Sequence, residues 1–438
     1  MSAAAKHRGA PAPAANALPR LLAAARADGT PATLADHLHR YGSLPIRTRR
    51  GASDDLIEVV DASGLQGRGG GAFPTGRKLR AVAEQRRRPV VLVNGAEGEP
   101  VSSKDQTLLH YVPHLVLDGA AVAAAAVGAD EVTIAVGENA GGTIAILRSA
   151  IADREGRRID RVHFRVVTAP SRFVAGEETA LVNWINGGPA KPTFTPPRPF
   201  ERGLGGKPTL VQNVETLANL ALIGRFGADW FRALGTRAEP GTALVTVSGA
   251  VRRPGVYEIP LGLPLHDLLD SAGGPSGPLS AFLIGGYFGG WIAADDVHGL
   301  TLADASLRKA GASLGARAIF ALPASACGIV ETARIAQYLA NESARQCGPC
   351  LHGLDAIARA LVQLAWGRAG RRERDPRLGH WLGQVKGRGA CRHPDGAVHL
   401  VESGLRVFAA EALIHERGSC SGAGRPQVPL ETPEGSRR

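Results

Sequence analysis

Cys347, Cys350 and Cys391 have the spacing of most of an iron–sulfur site. Cys347-Gly348-Pro349-Cys350 is a CxxC pair, and Cys391 stands apart in Gly389-Ala390-Cys391-Arg392-His393-Pro394. A cubane cluster commonly takes three thiolates from a CxxCxxC run and a fourth from a distant cysteine. That run would begin at Ala344, so one thiolate is missing. The gap leaves four outcomes: a three-iron cluster, a cubane with a substitute protein ligand, an external thiol or water ligand, or no cluster. Cys327 and Cys420 are substitutes if the fold brings them close, and Ser343 is a weaker one. The string CGPC is also a dithiol redox motif, which normally follows a strand. Residues 329–343 have helical periodicity instead, so the dithiol reading ranks below the cluster.

A second group of residues suits an anionic ligand. Gly67-Arg68-Gly69-Gly70-Gly71 is followed by Phe73 and by Gly76-Arg77-Lys78 at the start of a helical stretch. Glycines permit positive φ and close backbone approach, and a helix N-terminus favours negative charge. The string is not a P-loop, because no Ser or Thr follows Lys78. No strong strand leads into it, so it is not a dinucleotide fingerprint either. Two acidic pairs, Glu97 with Glu99 and Glu177 with Glu178, fall in glycine-containing loops after apolar strands. Carboxylates there are better placed for a site than for ordinary surface charge.

The elements that must position these groups follow from hydrophobic pattern. Residues 90–94, 131–137 and 162–167 read as buried parallel strands, with a helical stretch at 143–152. This alternation predicts an α/β domain with ligand loops at strand carboxyl ends. Short strands at 244–249 and 255–260 around a Pro-Gly turn, then a helix from Leu265, predict a small α+β module. Helical patterns at 330–342, 353–366 and 396–416, joined by an Arg-rich loop near 367–379, predict a C-terminal bundle. Short helices are expected between Leu18 and Tyr41. The expected divisions are a disordered tail over 1–16, an α/β domain over 17–238, a small α+β domain over 239–325, a helical domain over 326–417 and a flexible tail over 418–438.

Composition sets limits. The 438 residues are 44% hydrophobic and 21% charged, with five cysteines, an odd number that argues against a disulfide framework. A reducing, cytoplasmic location suits thiolate ligands. No window reaches the ~20 apolar residues of a membrane span, and the N-terminus lacks a signal-peptide core. The net charge of +11 is largely arginine and comes without a nucleic-acid-binding signature, so no nucleic acid is expected. Steering of an acidic redox partner is the better functional use of that charge.

Four strings in order resemble the family of flavin-bearing, NADH-oxidising subunits of respiratory complex I. They are residues 67–78, Asn94-Gly95-Ala96-Glu97-Gly98-Glu99-Pro100 with Lys104-Asp105, Gly176-Glu177-Glu178-Thr179, and Gly205-Gly206-Lys207-Pro208-Thr209 with Asn213-Val214-Glu215-Thr216. The resemblance covers residues 55–420 and extends to NAD-linked hydrogenase and formate dehydrogenase subunits. It implies FMN, an iron–sulfur cluster and NAD as substrate, with an α/β flavin-binding domain, a ligand-binding-type β-grasp domain over 239–325 and a helical cluster domain. It implies that residues 67–76 cradle the FMN phosphate, with Lys78, Asn94, Glu97 and Asn213 around the flavin and Glu177 and Glu178 lining the nucleotide pocket. Glu97 and Glu178 are the expected catalytic carboxylates, and Cys347, Cys350 and Cys391 the cluster ligands.

This chain departs from the family pattern at Ala96, where an Asp is usual, and at Phe173, where a Tyr is. Adenine-stacking positions align with Ala81 and Arg198, and a pyrophosphate lysine with Thr195, leaving Phe73 as the surviving aromatic. The implied activity is electron transfer from NADH through FMN and the cluster to a ferredoxin-like or other redox partner. The alternatives are an electron carrier that no longer binds NADH tightly, and a scaffold without cofactors.

Overall fold

The computed structural model describes residues 14–45, 52–367, 374–420, 422 and 426–431. The predicted N-terminal tail is outside this set up to residue 13, as are residues 368–373 of the Arg-rich loop and the chain beyond 431.

The first half alternates helix and strand: α1 (Leu34–Tyr41), α2 (Ala52–Ser63), α3 (Thr75–Ala83), β1 (Val90–Gly95), α4 (Lys104–Tyr111), α5 (Pro113–Val127), β2 (Glu131–Gly137), α6 (Gly141–Gly156), β3 (His163–Ala169), α7 (Glu178–Ile185), β4 (Thr209–Asn213) and α8 (Val214–Arg232). The four strands form one parallel sheet in the order β3-β2-β1-β4. Val90 to Val93 are all buried, as a parallel strand covered on both faces requires. Successive strands step outward from β1 to β3, and β4 then returns to the other side of β1. That reversal opens a crevice at the carboxyl ends of β1 and β4, where Asn94 and Asn213 are register partners.

Helix α5 begins with Pro113 at its first turn and buries every residue except Ala125. It packs along α8 so closely that a Cβ on Gly119 would fall within the backbone of Leu217. The core at the edge of this contact is ionic. Asp118 accepts from Arg154 at 2.7 Å and from Arg225, and lies 2.6 Å from Nε2 of His37; all four side chains are buried. Burial opposes the Asp118 charge, but Arg225, His37 and Arg154 outweigh it and hold the carboxyl well below its ordinary range.

The middle domain comprises β5 (Thr242–Gly249), β6 (Gly255–Pro260), α9 (Leu265–Ser271), β7 (Leu279–Ile284), β8 (Gly290–Ala293), α10 (Asp304–Lys309) and β9 (Ala318–Pro323). Its mixed sheet runs β6-β5-β9-β7-β8, with β5 and β9 parallel. The last part is helical: α11 (Gly328–Asn341), a π turn at Pro349–Gly353 leading into α12 (Leu354–Trp366), α13 (Leu378–Val385), α14 (His393–Val407) and α15 (Ala409–Glu416). No single helix among the described residues is long and apolar enough to cross a membrane.

Three expectations need correction. Residues 17–33 form turns, and α1 is the one helix between Leu18 and Tyr41. The Glu258 carboxylate accepts the backbone N–H of Arg20, Leu21 and Leu22 at 2.9–3.2 Å, so a side chain from β6 takes the place of helical carbonyls. The helix expected over 396–416 is two, α14 and α15, broken at Phe408. Part of the expected flexible tail folds back, because Gln427 and Val428 donate their backbone N–H to buried Glu331 at 3.0 and 3.1 Å, and Val428 is buried.

Replacing Asp118 with Asn would leave the buried Arg154 and Arg225 without their shared counter-charge. Loss of one partner from a buried ion pair costs about 3–5 kcal/mol, which a urea titration of Asp118→Asn against wild type measures.

Candidate functional site

The glycine loop lies over the β1/β4 crevice. Gly67 N–H donates to the Phe73 carbonyl at 2.8 Å, closing the loop at its base. Gly70 has φ +100°, a conformation that side chains resist, and a Cβ on Gly69 would come within 3.1 Å of Cβ of Asn213. Three parts of the molecule hold the loop. Arg68 N–H donates to Thr216 Oγ1 at 2.8 Å, its buried guanidinium reaches the Pro240 carbonyl at 3.3 Å, and Arg317 donates to the Arg68 carbonyl at 2.6 Å. A Cβ on Gly71 would meet nothing within 4 Å, so that edge of the loop is open for approach. Gly76 lies one residue inside α3, against Asp61.

At the crevice floor a buried ammonium gathers its surroundings. Lys104 Nζ is 2.7 Å from Asp105, 3.0 Å from Glu215 and 3.3 Å from Oδ1 of Asn213. Burial opposes its charge, but Asp105 and Glu215 prevail and its pKa is raised. Asn213 caps α8 by accepting from Glu215 N–H at 3.0 Å and donates to Asp105 at 2.6 Å. Asn94 donates to the Gly176 carbonyl at 2.8 Å, tying the end of β1 to the turn before α7.

The carboxylates expected from sequence are near this crevice with different duties. Glu97 accepts from Ser102 Oγ at 2.5 Å and from the N–H groups of Asp105 and Gln106, capping α4 from a distance. Burial, then the Asp105 charge, pushes its pKa up to about 7. Glu177 caps α7 through Thr179 and Ala180, and burial raises its pKa as well. Glu178 pairs with Lys78 at 2.9 Å, linking α7 to α3, with both side chains about one-third exposed. Glu99 points away into the middle domain, accepting Tyr287 N–H at 2.9 Å.

Two aromatic side chains near the Lys78–Glu178 pair face solvent. Phe73 precedes α3 and is 56% exposed; Phe194 is 85% exposed. The loop carrying Phe194 is anchored where Thr193 N–H donates to Thr179 Oγ1 at 3.0 Å, in the first turn of α7. Phe194 is absent from the residues expected on sequence grounds. Its one signal there is a lone phenylalanine in the proline-rich run Lys191-Pro192-Thr193-Phe194-Thr195-Pro196-Pro197. Arg198 is exposed and braced by Glu201, and Phe173 is committed to packing against Phe288, Tyr338 and His393.

The three expected cluster cysteines lie in one neighbourhood, near enough for Cys347 and Cys391 to act on the charge of Cys350. Cys350 sits in the π turn, and burial, then neighbouring Cys347 and Cys391, pushes its pKa up to about 12. Cys391 is raised by burial, opposed by the N–H of His393 and reinforced by Glu177 and Cys347. Burial is the main reason that Cys350 and Cys391 resist ionisation, and a bound iron cluster would supply the positive charge that buried thiolates need. The fourth corner is not supplied by cysteine. Ala344 is buried in the same loop, and Ser343 donates to the Ala340 carbonyl at 2.9 Å. Cys327 and Cys420 do not substitute. They lie together at the amino end of α11, whose 14 residues put them about 21 Å from the Ala344 end at 1.5 Å per residue. Because α11 rather than a strand leads into the CGPC string, the dithiol-fold alternative fails.

A glycine loop at a switch point of a parallel sheet and three neighbouring cysteines in a helical domain are the parts expected of a flavin and iron–sulfur electron-transfer protein. Family comparison agrees in all three domains. Residues 60–222 match the Nuo51 FMN-binding domain, 244–284 the SLBB domain and 331–415 the NADH-ubiquinone oxidoreductase-F iron-sulfur binding region. The F subunit of NADH-quinone oxidoreductase from Mycobacterium tuberculosis (strain ATCC 25618 / H37Rv) is 33% identical over 383 residues, covering 84% of this chain and 86% of that protein. The F 2 subunit of NADH-quinone oxidoreductase from Rhizobium meliloti (strain 1021) is 33% identical over 377 residues, covering 83% and 89%. An NAD+-reducing [NiFe]-hydrogenase in the H2-reduced state superposes with a TM-score of 0.75 at 30% identity over 86% of this chain; the chain spans 64% of that hydrogenase chain. The chain therefore belongs to the family of F subunits of NADH:acceptor oxidoreductases.

Glu99 offers a pH test of how the flavin-domain loops are held. Burial pushes its pKa up to about 8, from 4.5. A carboxyl raised on folding stabilises the native state fully below pH ~4.5 and loses that contribution as pH rises through ~8. Glu99→Gln, which cannot ionise, should therefore gain thermal stability relative to wild type between pH 6 and pH 9. A melting-temperature difference that stays flat across this range would show that Glu99 is not held in this way.

Proposed function

We propose that this protein oxidises NADH at an FMN in the β1/β4 crevice and delivers electrons through a cluster at Cys347, Cys350 and Cys391 to a separate redox partner, on the cytoplasmic side. The observation that carries the reading is contact between the two halves of the path. In the turn before α7, Phe173 N–H donates to Glu342 at the end of α11 at 3.0 Å, and its ring packs on His393, two residues from Cys391, so the nucleotide side and the cysteine loops adjoin.

FMN, when bound, accepts hydride as an electron pair and releases electrons singly, which is why one-electron carriers follow it. The amides of Gly69, Gly70 and Gly71 would hold its phosphate, with the Asn213 end of β4 beneath the loop. Gly67 and Arg68 donate theirs to the Phe73 carbonyl and Thr216 Oγ1 and so shape the loop. Asn94, held by Gly176, and the Lys78–Glu178 pair would orient the ring. Glu97, titrating near neutrality, holds or yields a proton at its carboxyl oxygens as charge in the crevice changes. Phe73 and Phe194 would grip the adenine of NADH, which favours NADH oxidation over an electron carrier that has lost the nucleotide.

Anaerobically purified protein should carry FMN and reduce viologen with NADH. Truncating Phe194 to Ala removes a stacking contact worth about 0.5–1.5 kcal/mol, so the KM for NADH should rise about 2- to 10-fold with FMN content unchanged. An unaltered KM would remove Phe194 from the nucleotide site. At the cluster, three thiolates leave one corner to an external ligand. Ala344→Cys restores a CxxCxxC run, so iron per chain and the lifetime of the cluster absorbance in air should both increase. Equal iron in the two proteins would show that the Ala344 corner does not limit assembly.

A further inference from the structure

A cluster of soft ligands lies at the amino end of α11, away from the crevice and from Cys347, Cys350 and Cys391. The ligand atoms of Cys327, His415 and Cys420 all lie within 4.8 Å of one another. Cys327 is the residue preceding α11 and is buried, His415 is buried on α15, and Cys420 reaches them from the surface segment after α15. The Cys327 sulfur is 3.1 Å from Nε2 of His415. The other imidazole nitrogen, Nδ1, is 3.1 Å from the Leu364 carbonyl, an acceptor, which places the ring proton on Nδ1 and turns the Nε2 lone pair toward the sulfur. Metal-bound histidines are commonly oriented by this kind of outer contact. Glu411 stands beside Cys327, its carboxylate fixed by the N–H of Gly328 at 2.7 Å.

We propose that Cys327, His415 and Cys420 bind a Zn2+ ion, with Glu411 or water in the fourth position. Two thiolates and an imidazole are the donor set that Zn2+ prefers. With bonds of ~2.3 Å to sulfur and ~2.0 Å to nitrogen, tetrahedral ligand atoms stand about 3.5–3.8 Å apart. The Cys327–His415 pair at 3.1 Å must therefore open slightly, while the separations to Cys420, at most 4.8 Å, need only a modest adjustment. Binding releases the thiol protons to solvent and involves no redox change. The ion fastens the chain end to the start of α11, which at its other end leads into the loop of Ala344 and Cys347. Gly422 is already packed against the Cys327 backbone, and Gln427 and Val428 bind Glu331 one turn further along.

The test uses the full-length holoprotein reconstituted with Zn2+ and dialysed against a weak chelator, with zinc, iron and FMN quantified together. Wild type should retain one zinc per chain, and zinc-edge X-ray absorption should show two sulfur ligands. Cys420→Ser alters an exposed residue and should abolish zinc retention while iron and FMN stay at wild-type levels; His415→Gln should do the same. A strong zinc chelator should lower the melting temperature of wild type but not of Cys420→Ser. Wild type without zinc would overturn the proposal. So would zinc retained in Cys420→Ser, which would place the ion at Cys347, Cys350 and Cys391, or a Cys327–Cys420 disulfide found by mass spectrometry in the unreduced protein.

Discussion

The buried ammonium of Lys104 is the interaction on which the arrangement of the crevice rests. It begins α4, contacts Asn213 at the end of β4 and pairs with Glu215 in the first turn of α8. The other oxygen of Glu215 accepts the Leu244 N–H at the start of the middle domain, so one charge network spans the crevice and the domain beyond it. A lysine taken out of water is tolerated only with such compensation. Here the compensating carboxylates come from the first turns of two helices, α4 and α8, that must both begin at the same place. The ion pair therefore sets where those helices begin, and with them the positions of Asn94, Asn213 and the glycine loop.

The middle domain acts as a brace between the α/β domain and the helical domain. Arg317 holds the glycine loop by its Arg68 carbonyl, and Ser103 N–H donates to Thr246 Oγ1. On its other side Phe288 packs against Phe173 and His393, and Trp291 N–H donates to Ser403 on α14. Such contacts tie the glycine loop and the helical domain to one brace, an arrangement that would suit electron transfer better than a hinged pair of domains.

Patterns that repeat locally were legible in the sequence. The buried strands at β1 and β2, the periodicity of α11 and α12 and the cysteine spacing follow from side chains a few residues apart. What escaped depends on partners brought in from far along the chain. Nothing near Arg20 suggests that Glu258 will hold it, and the apolar spacing of Leu21 and Leu22 suits a helix as well as a packed turn. Glu97 reads as a site carboxylate, and its capping of α4 emerges only when the loop closes. The exposure of Phe194 is hidden for another reason: a phenylalanine among prolines usually packs inward, whereas this one is left in solvent beside α7. Cys327 and Cys420 have the right chemistry to replace the missing thiolate, but α11 holds them a full helix length away.

The clamp of Glu258 on residues 20–22 also bears on the order of assembly. These groups are more than 230 residues apart in the chain and belong to the first and second domains. As the protein emerges from the ribosome, the amides of Arg20, Leu21 and Leu22 lack this acceptor until β6 has been made, so that edge of the α/β domain closes late. Contacts of such long range slow folding, because loop closure precedes any gain from the contact. The N-terminal segment is thus a late-closing seam, and its placement reports that the second domain has folded rather than that the first one has.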